Sequence, residues 1–344
     1  MPSATDNGGV AGPVGGRSVG TTKRSVLVSF GVNCAEMVGL GAAAWVTGSV
    51  ALRAQTATNA ADVAVGVFLL IAVVSSGRPA DDTHPLGYGR ERFFWSLFAA
   101  LGIFVGGGGL ALEGAVSSAL HPSSVHSYVL GYLSLAATLV LDAFALEIAL
   151  RPVRAQAIQR RVSLRTYLLR RSTDPASSTV VVGGGCAVIG AVTAAVGLVT
   201  SQLTGSSTPD TVAGALIGLL LLVASALLLA TNRELLSGRG VPPFILDEMR
   251  TLVAAQPGVV DVQDLFAVVV GPSSWIVNGD ITFADDLDVP GLEQTIMRSG
   301  ASLRQRWPSI DYIYLTPVPH ARTRLWPWHD TDLASVDQPA GPSK

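Results

Sequence analysis

Six stretches of this chain are twenty residues or longer and nearly empty of charge: 25–52, 54–77, 93–112, 122–141, 175–209 and 211–232. A helix crosses the ~30 Å hydrocarbon core of a bilayer with roughly 20 residues, so each stretch is long enough to span one. Glu36 alone interrupts the first and Asp62 alone the second, and the other four hold no Asp, Glu, Lys or Arg. Helices apolar on every face belong in a membrane or in the core of a large protein. Composition favours the membrane: of 344 residues, 14% are charged and 49% hydrophobic, against about 25% charged in an average soluble domain. The expectation is an α-helical membrane protein with six transmembrane helices over residues 23–239.

The links between the stretches set the orientation. Arg17, Lys23 and Arg24 precede the first, and Arg78, Arg90 and Arg92 lie between the second and third. Arg151, Arg154, Arg160, Arg161, Arg165, Arg170 and Arg171 fill the link between the fourth and fifth, and Arg233 and Arg239 follow the sixth. The alternate links hold only Arg53. Basic residues accumulate on the cytoplasmic side, so both termini are expected in the cytoplasm of a multi-pass protein of the plasma membrane. Topology and attraction to anionic lipid explain the Arg-rich link, and no nucleic-acid partner is expected. Cys34 and Cys186 both fall in apolar stretches, and a count of 2 cysteines excludes a disulfide scaffold. Residues 1–22 are rich in Gly, Ser and Thr without an apolar core, and read as a disordered cytoplasmic tail rather than a signal peptide. Residues 321–344 read as a second disordered tail.

Between 240 and 320 the pattern becomes that of a cytoplasmic α/β domain. Pro242 and Pro243 open a helical stretch that ends near Pro257, and a Val-rich run follows at 259–270. Trp275, Val277, Gly279, Ile281 and Phe283 then alternate with more polar neighbours, the period-2 signature of a strand. Leu292, Ile296 and Leu303 share one face of a second helix, and residues 310–315 form a last strand with Tyr312 and Tyr314 on one face. The order αββαβ suits a small open, ferredoxin-like sheet with helices on one side.

An ionisable group at the bilayer centre costs roughly 2.5–3.5 kcal/mol on insertion scales, so each needs a reason. Asp62 lies near the middle of the second stretch, four residues after Thr58 and three after Asn59, and this spacing sets them on one helical face. Two readings are open: an oxygen-rich cation site, or a satisfied packing pair between helices. Glu36, Glu113, Asp142, Glu147 and Asp210 sit nearer the ends of their stretches and read as interface anchors or loop partners. Cys186 reads first as a small packing residue and second as a soft metal ligand. No nucleophile–base–acid set and no zinc-protease spacing is present, so no enzymatic activity is expected.

The loop DDTHPLGYGRERFFW (81–95) and an ordered series of shorter texts carry a resemblance. VTGSVAL (46–52), HPLGYGRERFFW (84–95), Glu113-Gly114 with His121-Pro122, STDP (172–175), AVIG (187–190) and TNRELLSGR (231–239) are similar to the cation diffusion facilitator family. The zinc-transporter-9-like branch is the best match. The resemblance implies a homodimer that exports a divalent cation, usually Zn²⁺, by proton antiport. It implies no permanently bound cofactor, only the cation as substrate, held between the second and fifth spans. Tetrahedral Zn²⁺ takes three or four N, O or S ligands, and ligands that release metal can take up protons.

The branch pattern has His-x-x-x-Asp in the second span. Here Asp62 keeps the Asp and Thr58 stands at the His position. The Asn-Gln pair that follows is Val65-Gly66, and the Glu-Asp pair of the fifth span aligns with Gly183-Gly184. Asn59 and Cys186 are near enough to assist, although an amide and a neutral thiol replace carboxylates and imidazole poorly. A second, interfacial metal site is implied at Asp81, Asp82 and His84, where Tyr88 takes the place of a second histidine. The alternative for His84-Pro85 is a turn cap. Arg90, Glu91 and Arg92 are expected in ion pairs between spans or subunits. The leading expectation is a proton-coupled metal exporter. The alternative is a non-transporting structural or regulatory subunit that keeps the fold without the site.

Overall fold

A computed structural model describes residues 16–47, 50–120, 128–159, 163–164 and 174–319. The chain forms two compact units, one holding the long helices and the other most of the tail domain. In the first unit, α1 (Gly16–Thr47) and α2 (Val50–Ser75) are followed by α3 (Glu91–Gly102). A π-helical segment, Ile103–Gly109, joins α3 directly to α4 (Leu110–Leu120). Then come α5 (Tyr128–Gln159), α6 (Pro175–Thr204) and α7 (Thr208–Leu236).

Five of these helical segments are long and apolar enough to cross a membrane: Thr22–Ala42, Glu91–Leu120, Gly131–Ala155, Pro175–Thr204 and Thr208–Leu236. The α2 helix has 26 residues, but its apolar described part, Asn59–Ser75, is shorter. Outward faces remain apolar, as at Trp45, Val140 and Leu203, which is the surface that lipid would solvate. Two boundaries depart from the sequence reading. The first helix begins at Gly16, inside the stretch read as tail, and Thr22 is buried. The fourth apolar stretch stops at residue 141, but α5 continues to Gln159, because a helix carries on through charges once its backbone bonds are formed. Residues 1–15 and 320–344 and most of the Arg-rich link lie outside the described residues.

Small residues let these helices pack closely. A Cβ added at Gly218 in α7 would lie 3.0 Å from the Leu112 backbone nitrogen, and one at Gly197 in α6 would lie 2.6 Å from Ala213. Without a hydrophobic drive between helices in lipid, such close contact is the main source of association. Asp174 caps α6, accepting from the Ser177 backbone N–H at 3.4 Å, with Pro175 in the first turn where its missing N–H costs nothing. Gly205 ends the same helix at φ 65°, a left-handed conformation that glycine adopts without strain.

The tail domain follows the order expected: α8 (Pro243–Ala254), β1 (Val259–Gly271), β2 (Ser274–Phe283), α9 (Val289–Arg306) and β3 (Ile310–Pro317). The sheet order is β1-β2-β3. The two-residue link between β1 and β2 requires an antiparallel pair, and α9 carries the chain over to β3. Trp275, Val277, Gly279, Ile281 and Phe283 are all buried, as their alternation requires. On α9 the most buried positions are Thr295, Ser299, Gly300 and Leu303. Leu292 and Ile296 are only half-buried, so the packed face is turned toward small residues that let helix and sheet approach.

Candidate metal site within the helix bundle

A cavity of about 400 Å³ lies among the long helices, and three of them, α1, α2 and α5, bring most of its polar groups. From α2 come Asn59 and Asp62; from α1 come Ser29, Asn33 and Glu36; from α5 come Ser134, Thr138 and Asp142. The spacings explain the convergence. Positions 29, 33 and 36 recur at i, i+4, i+7, and 134, 138 and 142 at i, i+4, i+8, so each set lies along one helical face. Glu36 and Asp142 therefore do not sit at span ends as the sequence reading has them. They share the cavity with Asp62, and Asp142 lies near the middle of α5.

Asp62 is exposed, and the surface it faces is the cavity. Its backbone carbonyl accepts a long bond from Asn33 Nδ2 at 3.5 Å. Glu36 Oε1 is buried with no hydrogen-bond partner. Among the described residues no Lys, Arg or His lines the cavity, so nothing there neutralises three acids. Among the described residues no three His, Cys, Asp or Glu side chains are grouped tightly enough to hold a bare metal ion.

The α6 wall contributes little chemistry. Gly183 and Gly184 line the cavity, as does the free, buried Cys186. A Cβ at Gly183 would meet Ile103 Cδ1 at 3.8 Å, and one at Gly184 would meet Leu146 Cδ1 at 3.4 Å. Leu146 is one turn from Asp142, so α5 covers the place where α6 lacks side chains. Gly66 is filled differently, since a Cβ there would lie 2.7 Å from the Phe30 ring. Asn59 and Asp62 thus meet Cys186 in one cavity. Thr58 lies on the α2 backbone one turn before Asp62, and its side chain falls outside the described residues.

The loop residues do not join this cavity. Both Asp81 oxygens serve the loop itself: Oδ1 accepts from the Thr83 N–H at 3.0 Å, the Thr83 hydroxyl at 2.7 Å and the His84 N–H at 2.7 Å. Oδ2 accepts from the Tyr88 hydroxyl at 2.7 Å. Thr83, Tyr88 and the His84 backbone hold the Asp81 carboxyl well below the usual carboxylate range. The His84 ring lies 4.1 Å from that of Tyr88, and its Nδ1 is 2.9 Å from the Thr83 hydroxyl. Asp82 is exposed. The geometry fits a self-contained turn, and Gly87 at φ 71° closes it.

Beside the loop, Arg92 is fully buried with Nε 3.0 Å from Asp174 Oδ1. Asp174 Oδ2 also accepts from the Thr22 hydroxyl at 2.7 Å and the Ser177 hydroxyl at 2.8 Å. This junction ties the first turns of α3 and α6 to α1. Of Arg90, Glu91 and Arg92, all expected in ion pairs, Arg92 makes this one, while Glu91 accepts from Trp95 Nε1 at 2.7 Å. Glu147, also expected to pair, takes Arg151 at 3.2 Å and Arg154 at 3.1 Å.

The family model for the cation efflux transmembrane domain matches residues 26–237. A mitochondrial proton-coupled zinc antiporter, SLC30A9, from Xenopus laevis is 30% identical over 241 residues, covering 70% of this chain and 43% of that protein. Metal tolerance protein C4 from Arabidopsis thaliana is 28% identical over 266 residues, covering 77% of this chain and 57% of that protein. The cation-efflux pump FieF from Salmonella typhi is 25% identical over 273 residues, covering 78% and 83%. The chain spans about half the length of the first two relatives.

Proposed function

The chain belongs to the cation efflux family, the cation diffusion facilitators, in the zinc-transporter-9-like branch, and we propose that it exports a divalent metal cation from the cytoplasm in exchange for protons. The observation that carries this reading is the cavity that holds Asp62 together with Glu36 and Asp142 and lacks a cationic side chain among its described residues. Carboxylates at membrane depth without countercharge are costly unless a cation or a proton visits them. Alternation between the two is what antiport requires. Zn²⁺ is the first substrate to test, since a zinc antiporter and a metal tolerance protein stand among the relatives.

The same reading takes α2 as a sixth span. Its 26 residues reach about 39 Å at 1.5 Å per residue, more than the hydrocarbon thickness. Both termini then face the cytoplasm, in keeping with the basic links. A midplane cavity between helices that rock against one another supplies alternating access. We take the tail domain as ferredoxin-like and as a pairing surface in a homodimer, with Asp81, Asp82 and His84 organising the loop rather than holding metal. The bilayer is read as the plasma membrane, and fractionation of a tagged chain checks this against the mitochondrial membrane named for the Xenopus relative.

The purified protein in liposomes, scanned for Zn²⁺, Mn²⁺, Fe²⁺ and Co²⁺ flux under an imposed proton gradient, tests the proposal. Flux of at least one ion that depends on the gradient supports it. Folded, correctly inserted protein that moves none of them favours the non-transporting subunit instead, a reading that the missing donors at Gly183 and Gly184 motivate.

A further inference from the structure

The cavity bears on which cation it takes. Three helices each present one carboxylate: Glu36 from α1, Asp62 from α2 and Asp142 from α5. Among the described residues no side chain donates a hydrogen bond to any of the three, and Glu36 Oε1 is buried without a partner. A packing role would pair such groups, because a buried polar atom left unpaired costs about 1–3 kcal/mol and more when charged. The remaining polar donors are mostly amide and hydroxyl oxygens, with Cys186 as the single soft atom and no imidazole among the described lining.

Resting on the exporter reading above, we infer that Glu36 and Asp142 are cation-binding residues alongside Asp62, forming an oxygen-dominated site for a partly hydrated hard divalent cation, for which Mn²⁺ is the probe. Carboxylate, carbonyl and water oxygens suit Mg²⁺ and Mn²⁺, whereas thiolate and imidazole favour Zn²⁺. Among the described residues no three His, Cys, Asp or Glu side chains are grouped tightly enough to hold a bare ion, so the cation would keep part of its water. A hydrated cation bridges a wider gap, and hard cations retain several waters. The room agrees as well: six waters at roughly 30 Å³ each occupy about 180 Å³, under half of the 400 Å³ cavity.

Electron paramagnetic resonance of free Mn²⁺ during titration of the detergent-purified full chain reads binding without requiring transport. One bound Mn²⁺ per chain is expected. Glu36→Gln and Asp142→Asn should each weaken it at least about tenfold, a loss of about 1.4 kcal/mol. Glu147→Gln, outside the cavity and paired with arginines, should leave it unchanged. Melting and gel-filtration profiles matched to the parent chain show that the variants fold. The inference is overturned if the parent chain binds no Mn²⁺, or if the Glu36→Gln/Asp142→Asn double variant binds it as the parent does. Mn²⁺ bound through all three acids, with no ion moved across liposomes, would leave the inference standing and sink the exporter reading. Zn²⁺ flux without Mn²⁺ binding would do the reverse.

Discussion

Arg92 and Asp81 show two ways in which one residue holds the ends of these helices in place. Arg92 is buried against Asp174 at 3.0 Å, and its Nη2 is buried without a hydrogen-bond partner. Removing one member of a buried pair costs about 3–5 kcal/mol because the other charge is stranded. Asp174 would keep the Thr22 and Ser177 hydroxyls, so Arg92→Met should cost about 3 kcal/mol, at the low end, read as a lowered melting midpoint in detergent. Asp81 acts through pH. Its folded carboxyl titrates below the ordinary value near 4, so its contribution is present above that value. The contribution fades as pH falls through the lower folded range. Amide exchange at Thr83 and His84 should therefore quicken relative to the tail-domain strands as pH drops below about 4. Asp81→Ala should remove that pH dependence.

At the same scale, Asp62 was legible because an isolated acid in an apolar stretch demands a reason. Glu36 and Asp142 were harder to see. Asp142 falls one residue beyond the fourth apolar stretch, and counting apolar residues hides that α5 runs on to Gln159. The signal that could have found them was periodic: Ser29, Asn33 and Glu36 on one helical face, and Ser134, Thr138 and Asp142 on another. Neither pattern says which faces meet, and that depends on how α1, α2 and α5 pack.

Among the elements, the joined α3–π–α4 segment is the most unusual. Ile103–Gly109 is wound as a π-helix, a conformation often found at functional sites, and Ile103 and Gly107 line the cavity. The Gly-rich run packs closely against α7. A Cβ at Gly108 would lie 2.7 Å from Leu222, and one at Gly218 would meet backbone at Leu112 and Gly108 at 3.0 and 3.3 Å. Backbone cannot step aside as a side chain can, so Gly218→Ala should destabilise the fold by about 1–3 kcal/mol. Gly185 has nothing within 4 Å of an added Cβ, so Gly185→Ala should be neutral or gain up to about 1 kcal/mol from helix propensity. Thermal unfolding of the two variants side by side checks both. The π winding itself left no trace in the sequence, since seven residues of glycine and apolar side chains wind equally well as α-helix.

For the whole molecule, charge segregation and apolar length were readable early because a bilayer allows few solutions. The backbone must satisfy its own hydrogen bonds there, so five described helices match five of the six stretches by length and apolarity alone. The αββαβ order was equally open to reading, because period-2 burial leaves a direct mark on β2. The make-up of the cavity was not, since its acids come from helices as far apart in the chain as Glu36 and Asp142. The central claim is that Asp62 and its two acidic neighbours exchange a divalent cation for protons. Proteoliposomes that report cation entry and proton exit together, comparing the parent chain with Asp62→Asn, test it most directly. Both fluxes are expected to run in opposite directions in the parent chain, and both to fall at least about tenfold in the folded variant. Cation flux that persists unchanged in Asp62→Asn, or that moves no protons in the parent chain, would contradict it.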